Sequence, residues 1–155
     1  GALPLHREPT DLAGLVADVA DGFRAAADAG EVTLAVDAGD VAPVDVDPRR
    51  IRQVVANLLS NALRHTPPAG SVTLRLRSEA DAVVLEVADT GSGMDADAAA
   101  HAFDRFWHAG GAAGAGLGLA IVRDLMRAHG GDATLTSAPG AGTVVTCRVP
   151  VGGRA

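Results

Sequence analysis

The sequence of 155 residues contains no lysine and no tyrosine, and only one cysteine, one tryptophan and three phenylalanines. All 13 of its basic residues are arginines. The absence of lysine excludes a Walker A motif, because that motif uses a lysine to contact nucleotide phosphates. The single cysteine, Cys147, excludes an intrachain disulfide. Because aromatic side chains are so few, the core must be built mainly from alanine, valine and leucine.

The sequence also lacks long apolar runs and an excess of positive charge. No run approaches the roughly 18 apolar residues that a membrane-spanning helix requires, and no signal-peptide pattern opens the chain. The formal net charge is −6. This charge argues against a nucleic-acid partner, because surfaces that bind nucleic acid are basic. The length suits one domain.

Hydrophobic periodicity and capping signals predict three long helices and five strands. The helices are predicted from Thr10 or Asp11 to about Ala29, from Asp47-Pro48 to just before Pro67-Pro68, and from about Leu117 to Ala128. The strands are predicted near residues 32–36, 72–76, 83–87, 133–137 and 143–149. This order predicts the α+β class, as a two-layer α/β sandwich in which helices cover one face of a mixed, mostly antiparallel sheet. We expect residues 10–150 to form the domain, residues 1–9 to be a linker remnant and residues 151–155 to be a flexible tail.

The second predicted helix carries two asparagines in an otherwise apolar pattern. Asn57 and Asn61 are one turn apart, and His65 follows at the same spacing with Arg64 beside it. Asparagine is a mediocre helix former and is costly to bury without a partner. One such residue would be read as a satisfied structural asparagine. The pair, next to an apolar stripe, predicts a helix that is buried on one side and lines a polar pocket on the other.

Asp89 ends a predicted apolar strand and is followed by Gly91 and Gly93. A carboxylate in this position can accept a hydrogen bond from the exocyclic amine of a flat ring, which the glycines allow to approach the backbone. The alternative is an Asp-Thr-Gly turn in which the carboxylate bonds its own backbone. Taken without its neighbours, Asp89 favours the turn.

A third polar segment, Gly114-Ala-Gly116-Leu-Gly118-Leu119, directly precedes the last predicted helix. Glycines at a helix entry, together with the free N–H groups of the helix N-terminus, suit a phosphate group. The same pattern also occurs as a plain turn. The segment before it, residues 108–114, contains only alanine, glycine and histidine. We predict that this segment is mobile without a ligand, because it has no side chain that could anchor it.

Five segments in this order resemble the motifs of one family, the ATP-binding catalytic domain of bacterial two-component sensor histidine kinases. Residues 57–67 are similar to its N box, residues 89–94 to its first glycine box and residues 103–107 to its F box. Residues 114–119 and 140–143 are similar to its second and final glycine boxes. The superfamily also includes gyrase-type, Hsp90-type and MutL ATPases. The resemblance covers about residues 7–150, and it implies a Bergerat-type fold with ATP and Mg²⁺ as cofactors.

The resemblance implies a role for each matched residue. Asp89 would bind the adenine amino group, and Gly93 would border the base. Asn61 would hold Mg²⁺ against the phosphates. Arg64 would neutralise phosphate charge, and His65 would lie against the adenine or the ribose.

The remaining motifs would serve the phosphates and the lid. Gly116 and Gly118 would let the last helix receive phosphates, and residues 108–114 would form the lid. Packing of Phe103, Phe106 and Trp107 would anchor this lid. The other nucleotide-binding residues that the resemblance implies are Asn57, Gly91, Met94, His108, Gly114, Leu117, Leu119 and Thr143.

The sequence departs from the family at several of these positions. The family usually has Lys or Arg and then Tyr or Phe after the N box, whereas His65 offers less stacking area and titrates near neutral pH. His108 stands where a basic lid residue is common, and Ala115 replaces a frequent Thr or Ser. Arg105 is then the nearest candidate to contact the γ-phosphate, by position only. We therefore expect weak, pH-dependent nucleotide affinity.

Asn57 occupies the position at which the ATPase relatives carry a glutamate that activates water. An amide has no useful basicity near pH 7. We therefore predict phosphoryl transfer with negligible hydrolysis, and Asn57, Asn61 and Arg105 as the catalytic residues.

The resemblance also implies partners. The acceptor would be a histidine on an upstream dimerisation hairpin outside this chain, and a response regulator would be an indirect partner. The chain would be a monomeric cytoplasmic domain, and its parent protein would lie in the cell membrane. Two alternatives remain: a serine kinase of the anti-sigma-factor type, which shares these motifs, and a non-catalytic nucleotide-sensing module, which the lid composition and Ala115 favour.

Overall fold

The computed structural model describes residues 4–105 and 118–151. Within these ranges the chain forms seven strands and five helices. In chain order they are β1 (Glu8–Thr10), α1 (Leu12–Asp21), α2 (Arg24–Ala29), β2 (Thr33–Ala38), β3 (Val44–Val46), α3 (Pro48–His65), β4 (Ser71–Ser78), β5 (Ala82–Asp89), α4 (Ala96–Ala100), α5 (Gly118–Ala128), β6 (Asp132–Ser137) and β7 (Thr143–Pro150).

Five of the strands form one mixed sheet with the order β2-β4-β5-β7-β6. Strand β2 runs parallel to β4, and every other neighbouring pair in this sheet is antiparallel. Strands β1 and β3 form a separate antiparallel pair. The predicted α+β class and the mixed, mostly antiparallel sheet packed against helices are confirmed.

Alternation along the strands explains the two layers. In β4, the side chains of Val72, Leu74 and Leu76 are buried, whereas Arg75 and Arg77 are exposed. The buried set joins the apolar faces of α1, α3 and α5 in one core. In α3 this face consists of Ile51, Val54, Val55, Leu58, Leu59 and Ala62.

Local capping explains the bounds of α3. The side chain of Asp47 accepts hydrogen bonds from the N–H groups of Arg49 and Arg50, and Pro48 is the first helical residue. Proline suits this position because the first N–H groups of a helix have no partner within the helix. The helix ends at His65, two residues before Pro67. Both predicted ends of this helix are confirmed.

The predicted helix from residue 10 to residue 29 is wrong in one respect, because it is two helices. Gly22 ends α1, and its N–H donates to Ala20 and Val19. Phe23 then packs against the core before α2 begins at Arg24. The apolar spacing continues across this break, so periodicity alone did not reveal it.

Strands β1 and β3 were not predicted, because each has only three residues. Strand β1 includes Glu8 and Pro9, which were assigned to the linker. The limits of the domain remain a prediction. Among the residues that the structure describes, no helix is both long enough and apolar enough to cross a membrane.

Candidate functional site

The end of α3 and the end of β5 meet at one place. Gly91 makes this approach possible, because a Cβ atom there would overlap the carbonyl oxygen of His65. The hydroxyl of Thr90 accepts a hydrogen bond from the N–H of Ser71, at a distance of 2.9 Å, and so fixes the same corner. The structure therefore brings the polar end of α3 next to Asp89.

Asp89 is the last residue of β5, and only 8% of its surface is exposed. One carboxylate oxygen accepts the N–H of Gly91 at 2.9 Å. Burial raises the pKa of Asp89 above its usual value, although the N–H groups of Gly91 and Thr143 act in the opposite direction. A carboxylate has about four acceptor positions. The predicted Asp-Gly turn is thus present, and it leaves acceptor capacity for a ligand.

Asn61 is 8% exposed and lies on the last turns of α3. Its Oδ1 atom accepts a hydrogen bond from Nη2 of Arg64 at 3.0 Å. An amide oxygen is a hard donor that suits Mg²⁺, which usually takes few protein ligands and keeps waters or phosphates in its shell. In residues 4–105 and 118–151 no group of three or more His, Cys, Asp and Glu side chains could hold a metal. One amide oxygen of this kind is compatible with an ion whose other ligands are waters or phosphate oxygens.

Asn57 contacts the helix that the resemblance predicts will receive phosphates. Its Nδ2 atom donates to the carbonyl oxygen of Gly118, the first residue of α5, at 3.3 Å. Leu119 is buried in the core, so only its backbone is available to a ligand. Asn57 thus ties the middle of α3 to the start of α5.

The first and last glycine segments pack directly on each other. Gly93 and Gly142 both have positive φ, of 73°. A Cβ atom on Gly93 would overlap the carbonyl oxygen of Ala138, and one on Gly142 would overlap that of Asp89. Only glycine allows both the backbone conformation and the close approach.

Ser137 connects these two segments, and no sequence motif predicted this role. Its hydroxyl accepts the N–H of Met94 at 2.8 Å and lies 2.8 Å from both the carbonyl oxygen of Gly142 and Oγ1 of Thr143. Met94 and Thr143 were predicted at the nucleotide, and the structure places them on either side of Ser137. A serine at the end of a strand before a glycine-rich turn was the only available signal.

His65 stands beside an open cavity of about 350 Å³ that is lined by Arg64, Pro67, Thr90 and Gly91 among others. Its pKa is lowered, first by burial and then by the charge of Arg64, while Asp89 acts in the opposite direction. At neutral pH the ring is therefore neutral. A neutral aromatic face next to this cavity is available to a flat ligand.

Arg105 is exposed, and its guanidinium pairs with Asp124 of α5. The ring of Phe103 packs against the core, and the guanidinium of Arg123 lies 4.7 Å from its centre. The other F-box and lid predictions lie outside the described residues: Phe106, Trp107, His108, Gly114, Gly116 and Leu117.

Comparison with known proteins identifies the family. Residues 46–153 match the family model described as histidine kinase-, DNA gyrase B-, and HSP90-like ATPase. The chain belongs to this family. The match includes α3, β5 and α5, the three elements that position the candidate site.

The relatives carry the names of sensor proteins and histidine kinases. The chain is 40% identical over 151 residues to the sensor protein DivL of Caulobacter vibrioides, and this match covers 97% of the chain and 20% of DivL. It is 35% identical over 158 residues to the circadian input-output histidine kinase CikA of Synechococcus elongatus, covering 97% of the chain and 21% of CikA. The chain thus spans about a fifth of the length of these curated relatives.

Solved structures agree with this assignment. Full-length ShkA, crystallised in complex with AMPPNP, superposes with a TM-score of 0.89 at 33% identity, over 97% of this chain and 32% of that one. The catalytic domain of the histidine kinase ThkA, at 22% identity, shares the fold with a TM-score of 0.84. The sequence-based identification as the ATP-binding domain of a sensor histidine kinase is confirmed.

Proposed function

We propose that this chain binds Mg-ATP and transfers its γ-phosphoryl group to a histidine that lies outside the chain. The observation that carries the proposal is the close approach of the end of α3 to the end of β5, where Gly91 packs on the carbonyl oxygen of His65. Helix α3 carries Asn61 on its last turns, and Asp89 is the last residue of β5. A buried carboxylate and a buried amide oxygen at one corner can serve the two ends of one nucleotide. Family membership supports ATP as that nucleotide.

The base would bind at Asp89. Its partly used carboxylate would accept a hydrogen bond from the adenine amino group, while Gly91, Gly93 and Met94 would border the ring. His65 would lie against the adenine or the ribose, because its neutral face adjoins the open cavity. A ligand with no hydrogen-bond donor at this position would leave part of the acceptor capacity of this buried carboxylate unused, which is costly.

The phosphates would bind between α3 and the start of α5. Asn61 would hold Mg²⁺, which bridges phosphate oxygens and neutralises their charge. Arg64 already donates to Asn61, and its other N–H groups would contact phosphate. The N–H groups at the start of α5, including those of Gly118 and Leu119, would receive phosphate oxygens.

Transfer is favoured over hydrolysis because Asn57 has no basicity near pH 7. Its amide donates to Gly118, so it positions the phosphate-binding helix and takes no proton from water. Phosphoryl transfer needs mainly positioning and charge neutralisation. ATP would therefore persist until an acceptor side chain arrives.

The acceptor and the later partners belong to the rest of the protein. We propose a histidine on a separate dimerisation hairpin as acceptor and a response regulator as the next partner. Names of the relatives such as sensor protein and histidine kinase support this. The chain alone would be monomeric and cytoplasmic, where ATP is present, and the parent protein would lie in the cell membrane.

Calorimetry with AMPPNP and Mg²⁺ tests the binding step. We expect binding to the 155-residue chain in the presence of Mg²⁺ and a large loss in excess EDTA. Asn61→Ala should weaken binding by roughly 10- to 100-fold, since a contact to a charged group is worth about 1.5–3 kcal/mol. Gln53→Ala, two turns earlier on an exposed part of α3, is the matched control and should bind normally. Equal affinity of Asn61→Ala and Gln53→Ala would contradict the role of Asn61.

Incubation with labelled ATP and a supplied histidine-bearing hairpin tests the transfer step. Acid-labile label on the hairpin supports the proposal, acid-stable label indicates a serine kinase, and no label on material that binds ATP indicates a nucleotide-sensing module. Arg105→Ala should slow transfer by about tenfold or more if Arg105 contacts the γ-phosphate. Asp124→Ala removes the same ion pair and is its control. Equal rates in the two variants would exclude Arg105 from the chemistry.

A further inference from the structure

His129 forms a second buried polar cluster, which the proposed function does not use. It lies directly after α5, and 3% of its surface is exposed. Its Nδ1 atom lies 2.8 Å from the carbonyl oxygen of Leu125, and its Nε2 atom lies 3.2 Å from the backbone nitrogen of Asp47. The backbone N–H of Asp47 can only donate, so Nε2 accepts and the ring proton resides on Nδ1.

Asp47 connects this histidine to the N-terminal segment of the chain. It is 3% exposed, and one of its carboxylate oxygens caps α3 through the N–H groups of Arg49 and Arg50. The other oxygen, Oδ2, accepts the backbone N–H of His6 at 2.9 Å. Nearby, Nη1 of Arg7 donates to the carbonyl oxygen of Asp45 at 3.1 Å.

Helices α3 and α5 are connected by hydrogen bonds at both ends of α5. Asn57 of α3 donates to Gly118, the first residue of α5, while Asp47 before α3 donates to His129 after α5. Helix α5 has 11 residues, and both of its ends are therefore held by hydrogen bonds to α3 or its cap. A displacement of α5 along its axis would strain both bonds, because a helix is stiff over this length.

We propose that His129 is a positioning residue that couples the nucleotide-receiving start of α5 to the N-terminal segment, residues 4–10, through the Asp47 cap. The proposal rests on the function proposed above, in which phosphates bind at the start of α5. Nucleotide binding would then strengthen the hydrogen bond between His6 and Asp47. By thermodynamic linkage, a change imposed on residues 4–10 would alter nucleotide affinity by the same factor.

The electrostatics agree with the geometry. Burial is the main cause that lowers the pKa of His129; the charge of Arg7 lowers it further, whereas the bond to Leu125 and the charge of Asp47 raise it. The pKa of Asp47 is also lowered, mainly by the N–H of His6 and despite burial. At neutral pH the histidine is neutral and the aspartate is charged, which are the states that the hydrogen bonds require.

Two substitutions of His129 separate coupling from mere packing. The amide of glutamine can reach the position of Nε2 and accept the N–H of Asp47, whereas the shorter amide of asparagine reaches the position of Nδ1 and keeps only the bond to Leu125. Asp47→Asn is a third variant. It keeps an oxygen to cap α3, since asparagine is a good N-cap, but turns its NH₂ group toward the N–H of His6.

The measurement is amide hydrogen exchange of residues 4–10 in the 155-residue chain, with and without Mg²⁺ and AMPPNP at saturation. We expect slowing on the order of fivefold for the His6 amide in the wild type and in His129→Gln. We expect no slowing in His129→Asn or Asp47→Asn. Exchange of the β5 amides, residues 83–88, serves as the reference for global stability.

The outcomes separate this proposal from the proposed function. Slowing of equal size in the wild type, His129→Asn and Asp47→Asn overturns the coupling, as does no slowing in a wild type whose nucleotide binding is shown by calorimetry. If the wild type binds no nucleotide, both the coupling and the proposed function fail. If His129→Asn does not fold, Asp47→Asn alone decides, because its cap is retained.

Discussion

The two sides of the candidate site are built in different ways. On the side of Asp89, backbone packs against backbone, and Gly91, Gly93 and Gly142 are required because a Cβ atom at each would overlap a carbonyl oxygen. On the side of Asn61, side chains make the contacts: Arg64 donates to Asn61, and Asn57 donates to Gly118. The Asp89 side therefore depends on the backbone packing of the fold, whereas the Asn61 side depends on side chains carried by helix α3.

This difference predicts how each side responds to substitution. A change in the backbone packing near Asp89 should lower stability and binding together. A change of a side chain near Asn61 should lower binding with a smaller loss of stability, because the hydrogen bonds that Asn61 and Asn57 make are only partly buried and no backbone packing depends on them.

The largest effect is expected for Gly93→Ala. A Cβ atom would overlap the carbonyl oxygen of Ala138, and φ is 73°. We expect a loss of roughly 2–5 kcal/mol in the free energy of unfolding, from left-handed strain and overpacking.

Gly140→Ala is the matched control for Gly93→Ala. Gly140 has a φ of 75°, but a Cβ atom there would meet nothing within 4 Å. It should lose only about 1–2 kcal/mol from the backbone strain. Denaturant unfolding measures both variants. Equal losses would show that close packing on Ala138 contributes nothing, and the comparison between the two sides would fail.

Helix α3, which carries Asn61, and the strands that lead to Asp89 could both be predicted from local sequence patterns. Helix α3 was predicted because its signals are local: Asp47-Pro48 at its start, an apolar stripe along it and Pro67-Pro68 after its end. Strand β4 was predicted from the alternation of residues 72–76, and strand β5 from the apolar residues 83–87. These signals need no knowledge of distant contacts.

What the sequence did not predict depends on contacts between distant residues. The bond between Asp47 and His129 joins positions that are 82 residues apart. Ser137 acts on Met94 across 43 residues. In both cases the neighbouring sequence indicates only an ordinary helix cap or the end of a strand. The parallel pairing of β2 with β4 likewise requires a crossover connection that no local pattern specifies.

Asp89→Asn should have an intermediate effect. It changes only a side chain, but on the side of the site where backbone packs against backbone. Its amide oxygen can still accept the N–H of Gly91, and loss of the charge removes a group whose pKa burial raises. We expect unfolding free energy within about 1 kcal/mol of the wild type. AMPPNP affinity should fall by roughly 10-fold or more, since hydrogen bonds to charged groups contribute about 1.5–3 kcal/mol. Calorimetry and denaturant unfolding together check this; a large loss of stability would place Asp89 among the residues that hold the fold.

The smallest effect is expected in the pH dependence of stability, and its sign differs between the two sides. The pKa of His65 is lowered in the folded state, so between the unfolded value of 6.5 and the folded value the unfolded chain binds more protons. Stability therefore falls as the pH drops through this window.

The pKa of Asp89 is raised above 3.8, so between 3.8 and its folded-state pKa the folded chain binds more protons than the unfolded chain. Stability therefore rises as the pH drops through this second window. Thermal unfolding from pH 7.5 to about pH 4 should show a shallower loss below pH 6.5 in His65→Gln than in the wild type. In Asp89→Asn, the gain in stability that the wild type shows as the pH drops toward 3.8 should be absent. Because His129 is unchanged in both variants, its own contribution cancels, and identical pH profiles in all three proteins would mean that neither side of the site senses protons through the fold.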